Sequence, residues 1–315
     1  MEAVAKLAEH VRREMGRVIV GQEELKTQCV IALLCGGHAL LEGVPGIAKT
    51  LSIKTLSLLL GLEFQRVQCT SDLMPADIIG TNVLNISSSQ FQLHRGPVFT
   101  HLLLVDEVNR MPPRTQAALL ECMEERQVTI DGTRHDLSPM FTVFATQNPV
   151  DFEGTYPLPE AQLDRFLVKI HVPYPEAGEE IQLLTNVQRG FDSGDLGAVG
   201  LVPIEAHLLE RARSEVKTVN VQESLFAYLV QIVRRTRDWP ALSLGASPRA
   251  AVSLMVFARA LAAMEGREYL IPDDVKQSAL PVLRHRIVLK PEADLEGITP
   301  DQVLQEVLRA VEVPR

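Results

Sequence analysis

The run His38-Ala-Leu-Leu-Glu-Gly43-Val-Pro45-Gly46-Ile47-Ala48-Lys49-Thr50-Leu51 carries the strongest chemical signal in the chain. An apolar strand leads into a glycine-bearing loop that ends in Lys-Thr and opens a helix. Glycines let backbone N–H groups approach an anion, and a helix N-terminus offers unpaired donors at the positive end of its dipole. In such a loop Lys49 reaches the β- and γ-phosphates of a nucleotide, and the Thr50 hydroxyl binds Mg²⁺. The general pattern has glycine immediately before the lysine, where this chain has Ala48. Alanine is the smallest substitute and tolerates helical φ/ψ, so the loop is expected to survive.

Three more segments supply groups that phosphoryl transfer needs. In Leu102-Leu-Leu-Val105-Asp106-Glu107 four apolar residues lead to two carboxylates, as in a buried strand whose tip holds acids in a site. Asp106 is expected to hold the magnesium shell and Glu107 to orient and deprotonate the attacking water. Phe141-Thr-Val-Phe-Ala-Thr146-Gln-Asn148-Pro149 is another buried strand ending in an amide. Asn148 either holds the lytic water beside Glu107 or simply starts an Asn-Pro turn. In Leu158-Pro-Glu160-Ala-Gln-Leu-Asp164-Arg165-Phe166 a helical turn presents Arg165. Its guanidinium suits charge developing on a transferring phosphoryl group. An ordinary surface ion pair with Asp164 or Glu160 fits the local sequence as well.

These groups need a scaffold, and the hydrophobic periodicity supplies one. Val4, Leu7, Ala8, Val11 and Met15 mark an amphipathic first helix, and Leu25, Cys29, Ala32 and Leu33 a second, stopped by Gly36-Gly37. Strands are expected at Ala39–Leu41, Phe64–Val67, Leu102–Val105, Phe141–Ala145 and Leu167–Val172, with a helix at Lys49–Leu60. Such alternation predicts a five-stranded parallel sheet between helices. Beyond Pro173 and Pro175 no strand is expected. Helical periodicity dominates there, as in Ser224–Arg237, Pro248–Glu265 and Pro272–Arg284, after a loop at Phe191–Gly200. The expected organisation is an α/β nucleotide-binding core over 1–195 and a smaller all-helical lid over 196–315. Ser247-Pro248 should start a helix with Arg249 in its first turn.

Composition limits the alternatives. The chain has 315 residues, 46% of them hydrophobic, a formal net charge of −9 and few aromatics. An acidic chain is repelled by nucleic-acid backbones, and few rings leave little for base stacking. Cys29, Cys35, Cys69 and Cys122 form no CxxC pair, so buried free thiols are expected rather than a zinc or disulfide framework. No apolar run reaches membrane-spanning length, and Met1–Arg17 lacks the core of a signal peptide. A cytoplasmic protein with no membrane insertion is expected.

The order of these motifs resembles the AAA+ superfamily and, within it, the MoxR family, from Val20-Gly21-Gln22 to about Leu289. The resemblance rests on Asp106-Glu-Val-Asn109-Arg110 followed by Thr115–Glu121, and on Gln127–Gly132 and Ala145–Pro149. It also rests on Gly154–Phe166 and Leu244-Gly-Ala-Ser-Pro-Arg249. It implies that Gly43, Gly46, Lys49 and Thr50 form the Walker A loop, with Pro45, Ile47, Ala48 and Leu51 along the bound nucleotide. By the same resemblance Asp106 and Glu107 are Walker B, Asn148 the first sensor, Arg165 the arginine finger and Arg249 the second sensor. Val20, Gly21 and Gln22 cup the adenine. The segment Gly80–Gly96 is expected to interrupt the helix after the second strand and reads as a hairpin around Asn82–Leu93, and Val128–Leu137, with an Asp131-Gly132 turn, reads as a second. Relatives that share them aim them at a pore or substrate; they fit surface decoration equally well.

The resemblance also implies ATP hydrolysis to ADP and phosphate with Mg²⁺, in a homo-oligomeric ring, usually a hexamer, with nucleotide at subunit boundaries. The motion of lid against core would remodel a protein client, often a partner with a von Willebrand factor A domain. A nucleic-acid ring motor and a slow nucleotide-dependent scaffold are the rival readings. The acid charge weighs against the first, and Glu107 with Asn148 against the second.

Overall fold

The computed structural model describes residues 1–87, 89–149, 154–205 and 207–314. Helix α1 (Glu2–Gly16) buries the stripe Val4, Leu7, Val11 and Met15. Helix α2 (Glu23–Cys35) stops where Gly36 turns left-handed, at φ 62°. Then follow β1 (Ala39–Glu42), α3 (Lys49–Leu60), β2 (Phe64–Gln68) and α4 (Pro75–Ile79). A hairpin of β3 (Gly80–Asn85) and β4 (Gln90–Arg95) precedes β5 (Leu102–Asp106) and α5 (Pro113–Glu125). A second hairpin, β6 (Gln127–Ile130) and β7 (Thr133–Asp136), leads to β8 (Thr142–Gln147), α6 (Glu160–Leu163) and β9 (Val168–His171).

Five of these strands form one parallel sheet in the order β2-β5-β8-β1-β9. Alternate residues of β1, β5 and β8 feed two separate apolar cores. Leu41, Leu102 and Leu104 pack with α1, α2 and α3 on one face, and Leu40, Leu103 and Phe141 pack with α5 on the other. Because the strands are parallel, the chain leaves β1, β5 and β8 at the same carboxyl edge of the sheet, where a crevice opens.

Both expected hairpins are present, although Ser88 in the first lies outside the described residues. The tip of the second has Asp131 at φ 48° and Gly132 at φ 80°, the paired positive values of a type I′ turn. Asn82 of the first donates to Asp131 of the second at 2.9 Å. One detail differs from the sequence reading. The first hairpin does not interrupt a helix, because nothing helical resumes after Gly96 and the chain turns into β5. Gly80 and Gly96 press together at its base, where an added Cβ on either would lie 2.3 Å from a carbonyl oxygen.

The rest of the chain holds α7 (Ala177–Gln188), α8 (Leu208–Thr218), α9 (Glu223–Arg237), β10 (Leu242–Leu244), α10 (Pro248–Met264) and α11 (Pro272–Leu283). It ends with β11 (Val288–Leu289), α12 (Pro291–Leu295) and α13 (Pro300–Ala310). The helical lid therefore follows the sheet domain, with one correction: β10 and β11 pair as a small antiparallel ribbon. Strands of three and two residues are too short to show an alternating pattern.

The lid is fastened along β9. Arg286, buried in α11's shadow, donates from Nε to Asp164 Oδ1 at 2.7 Å and from its terminal nitrogens to the carbonyls of Phe166 (2.6 Å) and Leu167 (3.1 Å). His285 bonds the Phe166 carbonyl at 3.0 Å, and Ser247 Oγ donates to Asp164 Oδ2 at 3.0 Å. Elsewhere Cys29, Cys69 and Cys122 are buried and Cys35 partly so, all as free thiols, and burial raises each thiol pKa. Among the described residues no helix is long and apolar enough to cross a membrane, and no His, Cys, Asp and Glu cluster could hold a metal ion.

Candidate functional site

At the carboxyl edge of the sheet lies a cleft of about 780 Å³. The loop between β1 and α3 forms its floor through Pro45, Gly46, Ile47, Ala48, Lys49, Thr50 and Leu51. Asp106 and Glu107, at the tip of β5, and Asn148, just past β8, form one wall. Val20 and Gln22 lie at the other end, with Leu183 of α7 and Phe191. Strands far apart in sequence thus bring the expected loop, acids and amide to one place.

Two glycines shape the cleft without lining it. An added Cβ on Gly43 would lie 2.6 Å from both Ile47 Cδ1 and the Val172 carbonyl. On Gly21, at φ 60°, it would run into Glu179 of α7. Ala48 corrects a sequence expectation. It adopts φ 63°, ψ 19°, the left-handed mirror of the helical values assumed for it. The loop keeps the form that glycine takes freely, at a strain of about 1–2 kcal/mol for alanine.

The polar groups interlock around Asp106. Its Oδ2 accepts from Thr50 Oγ1 at 3.3 Å and from Arg66 Nε of β2 at 2.6 Å. Its Oδ1 accepts from Thr146 Oγ1 at 3.1 Å, and that same hydroxyl accepts from the Glu107 backbone N–H at 2.9 Å. Glu107 sits at φ 58° and pairs with Arg110 Nε at 3.0 Å. Lys49 folds back onto the Gly43 carbonyl. Burial lowers the Lys49 pKa, opposed by the charges of Asp106, Glu107 and Glu42. A hydroxyl and a carboxylate that converge on one spot are the oxygen donors Mg²⁺ prefers, so the residues fit that ion.

Arg66 and Thr146 escaped the sequence reading. Thr146 stands on β8 two residues before Asn148, which follows the strand's end, so continuing the period-two alternation places both on the cleft side, and that signal was available. Arg66 could be found only through the pairing of β2 with β5, which no local pattern reveals.

The two remaining arginines are not in the cleft. Arg165 precedes the start of β9, and β1 and β9 run parallel with Ala39 level with Val168. Arg165 and the phosphate-type loop therefore leave the sheet at opposite ends. The partner expected for Arg165 is also corrected. It pairs with Glu124 of α5 at 2.8 Å, not with Asp164 or Glu160, because Asp164 is taken by Arg286 and Ser247. Arg249, in the first turn of α10, pairs with the other oxygen of Glu124 at 2.7 Å.

Comparison with known proteins agrees with this architecture. Residues 38–168 match the model of the ATPase family associated with various cellular activities, and residues 234–307 match an AAA lid domain. The chain is 41% identical to Chaperone MoxR1 of Mycobacterium tuberculosis, over 96% of this chain and 81% of that one. The protein belongs to the MoxR family of AAA+ ATPases. Protein MoxR of Methylorubrum extorquens is 30% identical over 96% of this chain and 93% of its own. The uncharacterized protein YeaC of Bacillus subtilis is 42% identical, over 99% and 95% respectively. A crystal structure of a candidate ATPase from Cytophaga hutchinsonii superposes with a TM-score of 0.90 at 40% identity, covering 100% of this chain and 98% of that one. Nucleotide binding and ATP hydrolysis are the general properties of this MoxR-type chaperone family.

Proposed function

We propose that this MoxR protein hydrolyses ATP at the boundaries between subunits of a homo-oligomeric ring, a hexamer, and spends the resulting motion on a protein client. The observation that carries the reading is the placement of Arg165 and Arg249. Both lie at the far end of the sheet from their own subunit's cleft, while every other expected side chain lines it and Gly21 and Gly43 shape it. A phosphoryl-transfer site gains roughly 10³- to 10⁵-fold from an arginine supplied in trans. A head-to-tail ring brings one subunit's arginine edge to the next subunit's cleft.

In this reading Lys49 holds the β- and γ-phosphates and the loop N–H groups hold the remaining charge. Thr50 and Asp106 would hold Mg²⁺, which neutralises charge on the phosphates. Glu107 takes the proton of the attacking water, Asn148 holds that water in line, and Val20 to Gln22 cup the base. Arg165 and Arg249 stabilise the transferring phosphoryl group of the neighbour. We further place the division between nucleotide-binding core and lid near residue 195, and the protein in the cytoplasm. The client class we favour is a von Willebrand factor A domain protein. The net charge of −9 weighs against a nucleic-acid track.

The test is a mixture of two inactive variants. Lys49→Ala loses nucleotide binding and Arg165→Ala loses hydrolysis, each alone. Mixed at equal amounts, about one interface in four pairs an intact cleft with an intact arginine, for random assembly around a closed ring. ATPase activity should reappear in the mixture. A mixture that stays inactive means that Arg165 does not act across a boundary.

A further inference from the structure

Two cations from different parts of the chain meet on one carboxylate. Glu124 stands in the last turn of α5, with Oε2 2.8 Å from Arg165 Nη1 and Oε1 2.7 Å from Arg249 Nη2. Arg165 belongs to the turn before β9 and Arg249 to the lid helix α10. Arg165 Nη1 also donates to the Leu120 carbonyl at 2.8 Å, one turn earlier in α5. These bonds fix both its direction and its distance from the helix. The C-terminal end of a helix carries the negative pole of its dipole, which favours cations there. The hydrogen bond from Arg249, together with the charge of Arg165, holds the Glu124 carboxyl below its usual range, so it stays ionised at neutral pH.

Two guanidinium groups brought this close repel each other unless an anion stands between them. Glu124 is that anion within the subunit. Each guanidinium has five N–H donors in a planar fork, so bonding to Glu124 does not exhaust either. The arrangement is a ready pair of forks joined at the back and presented at the edge away from the subunit's own cleft.

We propose that Glu124 is a positioning residue that yokes the core-borne Arg165 to the lid-borne Arg249, so that both address the phosphates of the neighbouring subunit as one unit. This rests on the reading above that Arg165 acts in trans. Without the yoke Arg165 keeps its Leu120 bond but loses its register with Arg249. Misplacement of a catalytic group by about 1 Å costs on the order of 10²-fold in rate.

Glu124→Ala and the isosteric Glu124→Gln, in the full chain, should bind a fluorescent ATP analogue with wild-type affinity, because Glu124 lies outside the cleft. Their kcat should fall roughly 10- to 100-fold. A mere loss of stability would not depend on the partner subunit, and the expected defect does. Mixed with Lys49→Ala, which supplies intact arginines, either variant should recover activity above the sum of the two alone. Mixed with Arg165→Ala, whose arginine edge is itself defective, it should not. The proposal is overturned if both Glu124 variants turn over at or above the wild-type rate. It is also overturned if mixture with Lys49→Ala restores nothing, or if mixture with Arg165→Ala restores activity. Should the alanine variant fail to fold, the glutamine variant decides. If the Arg165→Ala and Lys49→Ala mixture is itself inactive, the trans reading falls whatever Glu124 does; if that mixture recovers and the Glu124 variants are normal, only the yoke falls.

Discussion

Thr146→Val is the most informative single change in the cleft, because it removes one hydroxyl and leaves the shape intact. Thr146 is 3% exposed, and its Oγ1 both accepts from the Glu107 N–H at 2.9 Å and donates to Asp106 Oδ1 at 3.1 Å. Valine fills the same volume, so no cavity term arises. A neutral hydrogen bond contributes about 1 kcal/mol and one to a charged group about 1.5–3 kcal/mol. Arg66 and Thr50 still hold the other oxygen of Asp106, so the expected loss is about 2.5–3 kcal/mol, at the lower end of that sum. Thr146→Ser is the control. It keeps the hydroxyl and sheds one methyl, at about 1 kcal/mol. Urea unfolding should therefore rank wild type above serine above valine. The same tie holds Glu107 at its positive φ, so the valine variant should also lose kcat with little change in ATP affinity. A valine variant as stable as the serine variant, or one with unchanged kcat, would refute the idea that this hydroxyl locks the two acids together.

Glu107→Gln should bind ATP yet hydrolyse it roughly 10²- to 10⁴-fold more slowly, since the amide cannot take the water's proton; near-normal turnover in a single-turnover assay would assign the base elsewhere. Ala48→Gly should range from neutral to about 1.5 kcal/mol stabilising, strain relief of about 1–2 being offset by backbone entropy of about 0.5–1. Ala48→Val, with a branched side chain at φ 63°, should lose nucleotide affinity, and retained affinity would count against the left-handed loop. His38 is buried, donates to the Met123 carbonyl and accepts from the Val143 N–H, and burial lowers its pKa to about 4. Its unfolded form takes up a proton first, near the ordinary value of about 6.5, so its contribution is complete above that pH and declines as pH falls toward 4. The decline amounts to about 3 kcal/mol at 1.36 kcal/mol per unit. Urea midpoints across this range should fall more steeply for wild type than for His38→Gln, and parallel curves would show that His38 plays no part.

The centre of the sheet was legible in the sequence because β1, β5 and β8 are short, buried, largely apolar runs that end in a polar residue, whereas the edge strands β2 and β9 mix apolar with polar residues. Helix α3 was legible to the residue, since Lys-Thr opens it and Gly61 closes it. What escaped depends on contacts between distant parts of the chain. Nothing near Arg165 tells that Arg286, more than a hundred residues on, has already claimed Asp164 and left Arg165 to Glu124. Arg66 reaches Asp106 only after β2 and β5 have paired. Ala48 escaped for a different reason. Residue size suggested that it would fit, whereas backbone handedness, set by the turn from loop to helix, decides what fitting costs.

The fastening of the lid along β9 has a consequence for the integrity of the isolated domains. β9 is the last strand of the sheet, with β1 on one side only. An exposed strand edge is a template on which other chains can add. Here the entry to that edge is stoppered by side chains rather than by another strand, with Arg286 and His285 bonded to the Phe166 and Leu167 carbonyls. A protein cut between sheet domain and lid would uncover those acceptors and the apolar residues beneath them. The severed sheet domain should then tend to stick to copies of itself, so the lid acts as a guard against misassembly even in a subunit that never meets ATP.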